Sequence, residues 1–70
     1  MSDLPNAVVK RLITKYAEGM RVSGGAIDTA VAAAEDYVGR LAREAHASAV
    51  ADKRKTIMEG DIEKARQKLG

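Results

Sequence analysis

The chain of 70 residues has no cysteine, no phenylalanine and no tryptophan, and only one proline and one histidine. Without cysteine there are no disulfides and no thiolate metal sites. The single imidazole, His46, has Ala42, Arg43, Ala49 and Val50 as its helical neighbours. None of these is a second ligand, so no metal is expected. Tyr16 and Tyr37 are the only aromatics, and many apolar positions are alanine. A core built from such residues stabilises weakly at about 25 cal/mol per Å² of buried apolar surface. Domains this small usually rely on disulfides, a metal or a partner chain. With the first two excluded, association is the expected stabiliser.

Long apolar runs are also lacking. The longest, Ala30 to Ala34, is far too short to span a bilayer. Met1-Ser2-Asp3 is acidic and no apolar stretch follows, unlike a secretory leader. The expectation is a soluble intracellular protein with no membrane contact. Catalytic constellations are lacking too. His46 has no cysteine or serine partner and reads as a half-exposed helical histidine. Gly24-Gly25 is not a phosphate-loop fingerprint and follows no strand. No enzymatic activity, cofactor or small-molecule substrate is expected.

What is present is charge and helical periodicity. The net charge is only +2, a weak pointer to an anionic partner. The basic residues nevertheless cluster as Lys10, Arg11, Lys15 and Arg21; Arg40 and Arg43; Lys53, Arg54 and Lys55; and Lys64, Arg66 and Lys68. No alternation typical of strands is sustained.

The spacing predicts three helices. The first runs from Pro5, favoured at the first helical position, to about Glu18, with Gly19 as its stop. Val8, Val9, Leu12, Ile13 and Tyr16 form its apolar face. The second runs from about Ala26 to Ala51, with Ser23 as N-cap; Gly24 and Gly25 weaken its first turn. Ile27, Val31, Ala34, Val38, Leu41, Ala45 and Ser48 alternate spacings of four and three, a heptad seam. At 1.5 Å per residue this helix spans about 40 Å, more than two short helices can cover, so a second copy is expected to cross it. The third runs from Met58 to Leu69, with Glu59 and Asp61 in its first turn and Lys64, Arg66 and Lys68 toward its end. Both placements complement the helix dipole. The fold class is therefore all-α, a single domain over residues 1–70 with short, long and short helices. Asp36–Arg40 and Arg40–Glu44 have the spacing of helical ion pairs.

Leu4-Pro5, Arg21-Val22-Ser23, Arg54-Lys55-Thr56-Ile57 and Asp61-Ile62, in this order around a long central helix, resemble the archaeal-type histones of the histone-fold family. The likeness covers almost the whole chain. It implies a handshake homodimer in which the first loop of one subunit lies beside the second loop of the other. It also implies sequence-independent binding, bending and compaction of double-stranded DNA, with the protein associated with the nucleoid. Carried over by residue, Arg11, Arg21, Lys53, Lys55 and Thr56 are the expected DNA contacts. Arg54 and Asp61 are an expected structural salt bridge, and Ile27, Val31, Ala34, Val38, Leu41 and Ala45 the dimer core. Arginine can enter a narrow minor groove, and lysines and a threonine hydroxyl suit phosphates.

The chain also departs from that family's pattern. Its first loop is one residue longer, at Ala17-Glu18-Gly19-Met20. Ser48, Ala51 and Lys64 stand where dimer-stacking members carry bulky apolar residues and a histidine. Higher oligomers would then need another surface, for which Gly24 and Gly25 are candidates. Two other readings fit the residues: a histone-fold subunit that pairs with a different chain, and a helical dimerisation module that does not bind DNA.

Overall fold

A computed structural model of the chain describes residues 3–70. Met1 and Ser2, on which the reading of the N-terminus partly rests, lie outside the described residues. Three helices are present: α1 (Asn6–Tyr16), α2 (Gly24–Ala51) and α3 (Glu59–Leu69). No strand occurs among the described residues.

The second and third helices end at Ala51 and Leu69, as the sequence predicts, and the other boundaries differ slightly from the sequence expectation. Pro5 is the N-cap of α1, with an extended ψ of 126°, and not its first helical residue. At the other end α1 stops at Tyr16 because the chain turns left-handed at Glu18 (φ 56°) and Gly19 (φ 79°). The Gly19 N–H closes this end by donating to the Thr14 carbonyl at 2.9 Å, the wide bond of a Schellman motif. The second helix begins at Gly24, two residues earlier than expected. The Ser23 hydroxyl accepts the Ala26 N–H at 3.0 Å, which makes Ala26 the third helical residue. Met58 precedes α3 as its extended N-cap.

The chain forms two compact units divided within α2, the first ending at Asp36 and the second beginning at Tyr37. In the first unit, Glu35 on α2 accepts the N–H groups of Asp3 and Leu4, the latter at 3.0 Å. Asn6 donates to Asp28 at 3.3 Å. These bonds hold the start of α1 against α2. In the second unit, Lys68 on α3 meets Glu44 on α2 at 2.8 Å. The Ser48 hydroxyl donates to Asp61 at 2.7 Å.

The buried apolar residues are Val31, Ala45, Ala49 and Ala65, and no large side chain is fully buried among the described residues. Of the expected dimer-core positions, Val31 and Ala45 are covered within their own chain. Ile27, Ala34 and Leu41 are half-buried, and Val38 is 57% exposed. Leu12, 49% exposed, and Tyr16 are open on α1. Apolar burial is the main favourable term in folding. A single copy leaves much of that term unused.

Candidate nucleic-acid interface

The loop after α2 is the most tightly specified part of the chain. Its first residues close the helix. The Lys53 N–H donates to the Val50 carbonyl and the Arg54 N–H to the Ala49 carbonyl, both at 2.9 Å. Together these are the two bonds of a Schellman motif. The motif needs a left-handed residue just past the cap, and here that residue is Lys53, with φ 59°. Glycine adopts this conformation without steric conflict; a lysine does not.

Arg54 is then turned inward. Its Nη1 and Nη2 donate to Asp61 Oδ2 and Oδ1 at 2.8 and 2.7 Å, a bidentate pair. The same guanidinium donates to Asp52 Oδ2 and to the Thr56 carbonyl, both at 3.0 Å. Asp61 is only 2% exposed. Besides the two Arg54 bonds it accepts the Ser48 hydroxyl at 2.7 Å and the Met58 N–H at 2.8 Å. All four acceptor directions of the carboxylate are therefore filled. The Met58 bond is also the carboxylate half of a capping box for α3. The Arg54 guanidinium, then the Met58 N–H and the Ser48 hydroxyl, hold the Asp61 carboxyl well below the usual carboxylate range. Asp61, then Asp52, push the Arg54 guanidinium up.

This network fixes the loop backbone and uses up one cation and two carboxylates. Lys53, Lys55 and Thr56 are all exposed. The N–H groups of Lys55, Thr56 and Ile57 have no partner among the described residues. In the loop before α2, Arg21 is exposed, and the N–H groups of Arg21, Val22 and Ser23 are likewise open. Arg11 is exposed on α1.

Residues 3–68 match the family described as the core histone domain. The chain belongs to the core-histone family. No curated protein and no solved structure gave a significant match. Three helices in the order short, long, short, with no strand among the described residues, are the histone fold. The family's general functions are DNA binding and pairing through this fold; it is chromatin-associated and not a family of enzymes. No helix among the described residues is long and apolar enough to cross a membrane.

Within this histone fold the cations fall into two sets. Arg54 pairs with Asp52 and Asp61, Arg66 with Glu63 at 3.2 Å, and Lys68 with Glu44. Lys15 lies 5.5 Å from the Tyr16 ring centroid. Arg11, Arg21, Lys53 and Lys55 have no carboxylate partner among the described residues, and the same holds for Lys10, Lys15, Arg43 and Lys64. Arg11 and Arg21 belong to the first unit, Lys53, Lys55 and Thr56 to the second. No group of residues suited to hold a metal ion occurs among the described residues. Sequence reasoning missed Ser48 and Asp52 as partners in the Arg54–Asp61 network. The signal for Asp52 was its place two residues before Arg54. Ser48 carried none, because it meets Asp61 only across thirteen residues of chain.

Proposed function

We propose that this core-histone chain acts as a single-domain, archaeal-type homodimer that binds duplex DNA without regard to sequence, and bends and compacts it. The observation that supports this most is the division of the cations. Arg11, Arg21, Lys53 and Lys55 are exposed and uncompensated, while Arg54 is consumed by the Asp61 network. Exposed cations without carboxylate partners are available to neutralise phosphates and release counterions. Thr56 adds a hydroxyl on the same loop, and the open N–H groups of both loops suit phosphate oxygens. The apolar residues left uncovered on α1 and α2 support a second copy as the partner. Ser48, engaged with Asp61, and Lys64 offer little for stacking dimers through the usual contact, so the dimer is the proposed working unit.

The test is binding to random-sequence duplex DNA across a salt series. If a dimer neutralises about eight phosphates, log K against log salt falls with a slope of roughly −7. The triple variant Arg21→Ala, Lys53→Ala, Lys55→Ala should flatten that slope and leave the helical content intact. An unchanged slope removes these residues from the interface. A second reading, pairing with a different histone-fold chain, is favoured by the modest net charge of +2. A purified chain that stays unfolded or aggregates alone, yet becomes soluble with another subunit, would establish it.

A further inference from the structure

Charge is unevenly divided along the chain. The first unit holds five carboxylate side chains and four cations, the second five carboxylates and eight cations. From Gly24 to Gly39, α2 carries Asp28, Glu35 and Asp36 and no lysine or arginine. From Lys64 onward, α3 carries Lys64, Arg66 and Lys68 and no acidic side chain. Each stretch borders an open groove within its own unit. In the first unit, Asn6 at the start of α1 and Asp28, Ala32 and Glu35 of α2 line one groove. Asp28 accepts the neutral Asn6 amide there at 3.3 Å and meets no cation among the described residues. In the second unit, Glu44 and Ala47 of α2 and Lys64, Ala65 and Lys68 of α3 line the other. Its one carboxylate, Glu44, is met by Lys68 at 2.8 Å, which leaves Lys64 exposed and without a carboxylate partner. Alanines on the walls of both grooves leave space for a side chain from outside.

We propose that the two grooves are complementary halves of an association surface between copies of this chain, with Lys64 of one copy entering the Asp28 groove of another. Opposite charges on facing surfaces fix such a register and exclude the reverse one. Because the two surfaces differ, the contact is heterologous and extends head to tail. It uses neither the apolar seam of α2 nor the cations of the two loops, so it adds a contact between dimers to the function proposed above. Exposed ion pairs are individually weak and are screened by salt. The association therefore belongs to low ionic strength and gives way to single dimers as salt rises.

The experiment is sedimentation velocity on the full chain without DNA, over a range of protein concentrations at low and at high salt. The wild type should form species larger than a dimer at low salt and lose them at high salt. Lys64→Glu and Asp28→Lys should each weaken this association by about tenfold or more. The double variant Asp28→Lys, Lys64→Asp exchanges the two charges and should restore it. Arg66→Glu makes the same change of charge on a residue that does not line the groove, and should leave the association close to wild type. Circular dichroism checks that each variant keeps its helices. A wild type of one size at both salts overturns the proposal. So does a charge exchange that fails to restore what both single variants lose, or an Arg66→Glu variant as impaired as Lys64→Glu. If the high-salt species is a monomer, the homodimer reading falls, and the pairing of the grooves is still judged by the low-salt change and the charge exchange.

Discussion

The Ser48 hydroxyl on α2 donates to Asp61 Oδ1 on α3 at 2.7 Å and so occupies the last acceptor direction of a carboxylate already held by Arg54 and the Met58 N–H. One short side chain thus ties the helix before the loop to the helix after it. Ser48→Ala should lower the urea midpoint and leave the helical content unchanged. Asp61→Ala should lower it much further, because it removes the α3 cap and strips Arg54 of its principal partner. If Ser48→Ala is as stable as the wild type, the bond contributes nothing.

The same carboxylate sets a pH dependence. The Asp61 pKa is depressed in the folded chain, by Arg54 above all. The unfolded chain therefore binds the proton first as acid is added, and folding stability falls with pH. The contribution is complete above the ordinary carboxylate pKa of about 4 and drains away as the pH falls through the lower, folded value. Through Asp61 the urea midpoint should be the same at pH 7 and pH 5, lower at pH 3 and lower again at pH 2 for the wild type. Asp61→Asn should start lower at pH 7 and fall less steeply; equal slopes would remove Asp61 from the acid response.

The start of α2 offers a stability test with two signs. Ser23→Ala removes the acceptor of the Ala26 N–H and should cost about 1 kcal/mol. Gly25 has an ordinary φ, and a methyl group added there would meet no atom within 4 Å. Gly25→Ala should therefore stabilise the chain by about 0.5–1 kcal/mol. Thermal or urea unfolding reads both. A destabilised Gly25→Ala variant would show that a second molecule approaches this backbone.

Val38 tests the association surface. It lies near the middle of α2 with 57% of its surface exposed, on the heptad seam between Ala34 and Leu41. If the proposed homodimer forms through this seam, Val38→Asp should abolish it in sedimentation equilibrium and lower the stability by about 2 kcal/mol, since a charge would then stand in an apolar seam. Unchanged mass and stability would exclude this face from the contact.

Most of the fold could be read along the chain, because its signals are local. The seam from Ile27 to Ser48 marked α2, Ser23 its cap, and the acidic and basic ends of the third segment the polarity of α3. The ends were harder. Left-handed residues are normally announced by glycine, and here Glu18 precedes Gly19 in that conformation while Lys53 has no glycine beside it. The candidate DNA contacts rested on resemblance. Nothing in the sequence separated Arg54 from Lys53 and Lys55 by chemistry alone, since all three are cations in one run.

By itself the sequence determined where helices begin and end to within a few residues, since periodicity, caps and turn residues act between near neighbours. It also determined that the core would be poor, since alanine carries little area whatever the packing. The Arg54–Asp61 pair was implied by the family resemblance, but only the tertiary structure showed how Ser48 and Asp52 complete its network. That network depends on Asp61 meeting Arg54 and Ser48 from seven and thirteen residues away. Such meetings are set by how helices pack, and no local pattern encodes them.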